Sequence, residues 1–283
     1  MRKILIKALR RIGLLDRLTL YPWTTIQGTK VCIPLINDLG TNNYLYPSEP
    51  WMLSVLKKIL TPENQFVDIG VNLGQTLIKV KSIDKAISYV GFEPNPLCVF
   101  YVGRMIKVNA FPNTEIYPVG VSEKSEVLKL NLYSDADHDS SASIISEFRA
   151  SSYIKKSINV PVFNIEELDL GKMDVVKIDV EGAELEVLNG LKNQLSNDKP
   201  NILIEILPVY SNSNKERLDR QNSIEALMSK YGYSMFRIKK NKEDQYAGIE
   251  KIQSLGIHSD LQQCDYIFSP NEKENEVIKS LKV

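Results

Sequence analysis

Five short, mostly apolar runs recur along the chain, Phe66–Ile69, Tyr89–Glu93, Ile116–Val119, Val175–Asp179 and Ile202–Ile206, with helix-like intervals between several of them. Runs that lack in-out alternation suit strands buried on both faces, and such strands belong to parallel sheets. The intervals 75–83, 97–108 and 183–195 supply crossover helices, so the pattern predicts an α/β chain with a doubly wound, mostly parallel sheet. In that architecture a ligand sits beyond the strand C-termini, where the strand order reverses. Tyr233–Ile238 and Asp265–Phe268 predict a closing strand pair, the last strand antiparallel. An insertion at about 122–168 carries two further strand candidates, 126–133 and 159–163, and reads as a cap or an added edge. Residues 211–223 read as a polar loop ahead of a helix over 224–231.

Residues 1–60 read as an extension to a domain spanning 61–283. Leu5, Ala8, Leu9, Ile12, Leu15 and Leu18 recur at helical spacing over 2–18, and a strand is expected near 30–33. Ser48-Glu49-Pro50 opens a helix through Leu60, with Ser48 as N-cap and proline tolerated in the first turn. At 43% hydrophobic and 25% charged residues, the composition excludes disorder, and no stretch approaches the length of a membrane span. Charges balance at 35 against 35, but residues 1–20 hold six basic residues and one acid, Asp16, which leaves the remainder five acids in excess. An acidic body is a poor surface for phosphate backbones, so no nucleic-acid partner is expected. Cys32, Cys98 and Cys264 lie far apart without a CxxC pair, which argues against a disulfide framework or thiolate zinc and for a reducing cytoplasm. The N-terminal apolar runs are too short for a secretory signal.

Asp68-Ile69-Gly70-Val71-Asn72-Leu73-Gly74 ends the first apolar run and opens a helix, giving D-x-G-x-N-x-G. The two glycines let backbone approach a ligand. The third glycine of the dinucleotide pattern G-x-G-x-x-G is missing, so a ligand without phosphates is expected. S-adenosylmethionine (SAM) meets that description: Asp68 is expected to orient its ammonium group. Glu93, at the end of the second run, is expected to accept both ribose hydroxyls through its two carboxylate oxygens. The plainer alternative is a tight turn at Gly70 and Gly74 with Glu93 as a solvated strand end.

Phe66–Gly74, Gly91-Phe92-Glu93-Pro94-Asn95-Pro96 and Val176-Lys177-Ile178-Asp179-Val180-Glu181-Gly182-Ala183-Glu184 resemble the FkbM family of SAM-dependent methyltransferases. The resemblance covers Phe66 to Leu207, about half of the chain. It implies a Rossmann-like class I methyltransferase fold and methyl transfer to a hydroxyl oxygen of a sugar or natural product. By position it implies that Asp68, Gly70, Asn72, Gly74 and Glu93 bind SAM and that Asp179 and Glu181 lie at the reacting end. Val71 departs from the family's usual alanine, and Asn164-Ile165-Glu166 from its usual Thr-Leu-Asp.

A neutral hydroxyl acceptor benefits from a general base, for which Asp179, Glu181, Glu205 and His138 are candidates. Lys177 reads as a packing or ion-pair lysine. After the fourth run the chain lacks the N/D-P-P-Y/F/W turn of amino-group methylation, and no Pro-Cys serves cytosine C5 chemistry, so oxygen acceptors remain. The expected activity is O-methylation of a sugar or glycan precursor. The alternatives are a non-sugar metabolite or RNA hydroxyl, or an inactive SAM-binding scaffold. Residues 135–141 form the densest polar run and fail as an EF-hand, with Ser140 and Ser146 at the required glycine and glutamate. They read as a solvated loop, with an acceptor-side lid at 140–143 or a divalent-metal site shared with Asp179 and Glu205 as alternatives; no metal ligand is assigned. The basic N-terminal helix reads as a core or homodimer contact, or as a peripheral contact with the anionic inner face of a membrane.

Overall fold

The computed structural model describes residues 2–134, 142–145 and 153–282. Helix α1 (Arg2–Arg11) is shorter than the predicted 2–18, because Gly13 at φ +68° leaves the helical region and a 3-10 turn then buries Leu15. Strands β1 (Thr19–Leu20), β2 (Trp23–Ile26), β3 (Thr29–Cys32) and β4 (Leu35–Ile36) form two antiparallel ribbons, β2 with β3 and β1 with β4. Helices α2 (Thr41–Leu45) and α3 (Pro50–Ile59) follow. Ser48 does not cap α3. Glu49 occupies the cap position at φ +50°, and its carboxylate pairs with Lys79 at 2.9 Å.

The first long strand is β5 (Gln65–Ile69), then α4 (Gln75–Ile83), β6 (Ser88–Phe92), α5 (Pro96–Asn109), β7 (Thr114–Tyr117) and the short β8 (Gly120–Val121). The insertion gives β9 (Glu126–Leu132) and β10 (Lys156–Phe163), which pair antiparallel, and β8 joins β10 in parallel, a separate three-stranded sheet. The chain then returns through β11 (Val175–Ile178), α6 (Glu184–Gly190), α7 (Lys192–Asn197), β12 (Asn201–Glu205) and α8 (Lys215–Lys230). The expected single helix over 183–195 breaks at Leu191. The expected loop over 211–223 is helical from Lys215, because the Asn214 side chain caps Arg217 N–H. Strands β13 (Tyr233–Lys240), β14 (Tyr246–Ile252) and β15 (Asp265–Pro270) and helix α9 (Glu274–Leu281) close the chain.

The main sheet has the order β14-β13-β15-β12-β11-β5-β6-β7, with β15 antiparallel between β12 and β13. From β5 the strands step outward to β7, then return to β11 on the other side of β5. The order therefore reverses between β5 and β11, which is where a doubly wound sheet opens a crevice. Side chains alternate between two cores. Phe66, Tyr89, Val175 and Leu203 face the N-terminal segment with α3, α4, α5 and α9, while Val67, Val90, Val176 and Ile202 face α6 and α8. The first 60 residues thus share one continuous core with a sheet face.

At the far end of the sheet Lys81, fully buried, donates to the carbonyls of Ile87 at 2.6 Å, Pro112 at 2.7 Å, and Lys85 and Asn113 at 3.3 Å. It clamps the turns entering β6 and β7, and burial lowers its pKa to about 8. Lys81→Met should cost about 1–3 kcal/mol at neutral pH, read as a lower urea midpoint. Between about 8 and the ordinary 10.5 the unfolded chain binds the proton that native Lys81 has released. Wild-type stability should therefore gain with pH across that window relative to the methionine variant.

Candidate active site

The strand that carries the motif places its residues in two different directions. Ile69 ends β5, and Gly70 at φ +92° turns the chain so closely over β11 that a Cβ there would lie 1.9 Å from the Asp179 carbonyl oxygen. Asn72 follows in the left-handed region at φ +49°. Its N–H donates to Glu93 Oε2 at 2.7 Å, and Asn95 N–H donates to Glu93 Oε1 at 2.8 Å. The carboxylate is thereby fixed at the end of β6 with lone pairs to spare. Burial raises Glu93 to about 7, opposed by those two backbone donors and the Lys177 charge.

These residues line a cleft of about 690 Å³ at the reversal between β5 and β11. Gly70, Asn72 and Glu93 form one wall, Asp179, Val180 and Glu181 a second, and Val121, Leu130 and Ile144 of the insertion a third, apolar one. Glu181 is itself left-handed at φ +51°, and its carbonyl accepts the buried Ser143 hydroxyl at 2.7 Å. Three carboxylates and no lysine or arginine line this cleft among the described residues. A phosphate-bearing ligand has no cation to meet there, whereas a ligand carrying positive charge is favoured.

Asp68 and Gly74 lie outside the cleft walls. Asp68, expected to orient a ligand ammonium, is fully buried on the opposite side of β5, where it accepts the Tyr89 hydroxyl and pairs with Lys177 at 3.3 Å. Gly74, at φ +75°, starts α4, and a Cβ there would press on Met105 at 3.3 Å. His138 lies outside the described residues, as do residues 135–137 and 139–141 of the polar run. Among the described residues no three acidic, histidine or cysteine side chains are grouped to hold a metal ion.

Lys177 joins the two sides of the reversal. Its Nζ donates to Gly70 O at 2.8 Å and pairs with Asp179 Oδ2 at 3.1 Å as well as with Asp68. Burial would lower its pKa, but the carboxylates of Asp179, Asp68 and Glu49 outweigh that and raise it, so the ammonium stays charged. Next to it, Glu205 is pushed up to about 10, by burial first and then by Asp179, Asp265, Glu181 and Glu49. That environment holds the Glu205 proton more tightly than an ordinary carboxylate would. Tyr89 and Lys177 as a bridge were not assigned to the site by sequence reasoning, whereas Ser143 belongs to the lid alternative at 140–143; Asn95 was within reach, since Asn-Pro marks an N-cap followed by proline.

The strand order, with β15 set antiparallel between β12 and β13, and the crevice of carboxylates at the reversal define a Rossmann-like methyltransferase architecture. A model of the methyltransferase FkbM domain matches residues 68–235, more than half of the chain, and the chain belongs to that family of SAM-dependent methyltransferases. It is 24% identical over 207 residues to methyltransferase sdnD of Sordaria araneosa, covering 62% of this chain and 76% of that one. It is 22% identical over 165 residues to methyltransferase 1 of Beauveria bassiana, covering 51% and 66%. The crystal structure of methyltransferase FkbM from Methylobacillus flagellatus KT superposes at a TM-score of 0.47 with 16% identity, over 81% of this chain and 52% of that one. The chain therefore spans about half the length of the Methylobacillus protein.

Lys177→Met should destabilise the protein by about 3–5 kcal/mol in urea, because it strands the buried Asp68 charge. Adding Asp68→Leu should recover much of that loss.

Proposed function

We propose that the protein transfers a methyl group from SAM to a hydroxyl of a sugar or glycan precursor. The observation that carries the donor side is the cleft lined by Glu93, Asp179 and Glu181, with no cation among the described residues, which suits a ligand bearing a sulfonium and an ammonium group. SAM, when bound, supplies an electrophilic methyl on sulfur. Glu93 accepts hydrogen bonds from the ribose hydroxyls, and the left-handed Gly70 and Asn72 let the backbone close on the amino-acid portion. The apolar wall of Val121, Leu130 and Ile144 excludes water.

A second groove of about 850 Å³, which shares no lining residue with the donor cleft, opens between the N-terminal segment and α4 and offers a subsite for an outlying part of the acceptor. Thr25, Gln27, Asn43, Ser54 and Gln75 give it uncharged hydrogen-bonding groups over the aliphatic Ile26, Ile33 and Leu53, and Lys79 in its lining is paired with Glu49 at 2.9 Å. Asp179 orients the acceptor hydroxyl and takes its proton at a carboxylate oxygen in this reading, which its one-third exposure and its pairing with Lys177 support.

Glu93→Ala should abolish measurable SAM binding in calorimetry. Asp179→Asn should keep that binding and lower S-adenosylhomocysteine (SAH) formation on a sugar-nucleotide and glycan panel by about 10²–10⁴-fold. Wild-type binding of both variants would overturn the site assignment, and binding without turnover on any acceptor would favour the scaffold. Because only the ionised Glu93 accepts both hydroxyls, SAH affinity should weaken as pH falls below about 7, approaching tenfold per unit.

A further inference from the structure

Helix α1 buries one face and leaves a second apolar face in solvent. Successive residues turn by about 100°, so Ile6 and Leu9 pack inward while Ile4, Leu5 and Ala8 emerge together on the other side. Ile4 is 73% exposed, Leu5 60%, and Ile12, just past the helix end, 67%. Soluble surfaces scatter such residues singly; four apolar positions on one helix face mark a contact surface. One flank is basic. Lys7 and Arg11 are exposed beside the stripe, and Lys7 lies over the ring of Tyr46, itself 58% exposed, while Lys3 behind them donates to the Leu45 carbonyl at 3.4 Å.

We infer that this face docks the protein onto an anionic lipid bilayer, with the helix lying in the interface plane. Its apolar residues enter the headgroup boundary, and its cations meet the lipid phosphates and carboxylates. Charge separates this occupant from a second copy of the chain. A two-fold contact through the same face would bring together two copies of the segment 1–20, each with six basic residues offset by one acid. No described helix is long and apolar enough to cross the bilayer, so the contact is peripheral. Arg10 is committed to the protein itself, pairing with Asp38 at 3.0 Å and donating to Asn42 at 2.7 Å, which fixes the helix on the body. The inference stands apart from the proposed acceptor, since it concerns a surface with its own readout.

The test uses the full chain and sucrose-loaded vesicles of phosphatidylcholine, with and without phosphatidylserine. The protein should sediment with the anionic vesicles and stay in solution with the neutral ones. Lys7→Glu should weaken binding by at least about fivefold, the loss expected for one cation near the surface. Ile4→Asp with Ile12→Asp should abolish it while leaving SAM calorimetry and the urea midpoint unchanged, since both side chains are exposed. Absence of sedimentation overturns the inference. So does binding that survives the double aspartate variant, which would be attraction by charge alone. A dimer in sedimentation equilibrium that the same variant dissociates would assign the face to a second copy and likewise overturn it.

Discussion

The ammonium of Lys177 is the constraint around which the site is arranged. Lys177 and Asp68 are directly opposed across β11 and β5, the two strands between which the sheet order reverses, so their pairing fixes the register at the point where the crevice opens. The side chain then reaches past its own strand end to Asp179 and to the carbonyl of Gly70. One cation thus pairs with a buried carboxylate and a partly exposed one and anchors the glycine loop. The loop can approach so closely only because Gly70 has no side chain to meet the Asp179 carbonyl. On the other flank Gly91, beside Asp68 on β6, leaves room for Val71 and Ile116, and the Tyr89 hydroxyl completes the carboxylate's partners. A buried pair of this kind contributes geometry more than stability, because desolvation offsets much of its attraction.

Most of the sheet was legible because burial on both faces writes a strand as an unbroken apolar run. Val175–Ile178 and Asn201–Glu205 are found where such runs predict them, and α4 spans the residues expected of it. Two of the misreadings share a cause: a local signal was overruled by one specific contact. Glu49 took the cap position of α3 while its carboxylate reached Lys79, so the nearby serine had no role there. Gly190 approaches Ser122 so closely that a Cβ would lie 2.5 Å from its carbonyl oxygen, and the helix expected through 195 breaks one residue later.

Within the site, the motif named the right segment and left open which way each side chain points. Period-two alternation carries that information: Asp68 shares its face with Phe66, which packs toward the N-terminal segment and away from the cleft. Asp68 is therefore a support for Lys177, two residues removed from the wall that Gly70 begins. The upward shift of Glu205 was beyond any motif, since it is set by burial and by carboxylates from three other segments of the chain.

The distribution of charge follows from the same economy of cations. The described lining of the cleft holds three carboxylates, and Lys177, which pairs with one of them, stands beneath it rather than in it. A positively charged ligand is favoured there without a fixed cation to repel it, and a nucleotide phosphate is disfavoured. Meanwhile the basic residues concentrate on α1, whose Arg10 grips Asp38 and Asn42, and the adjacent Asn43 donates to the carbonyl of Leu73 in the glycine loop at 3.2 Å. Short, satisfied polar contacts therefore run from the basic helix to the loop that opens the cleft. The two electrostatic surfaces, one basic and one acidic, are held at a fixed spacing by that chain of bonds, so whatever the helix rests on also sets where the cleft is presented.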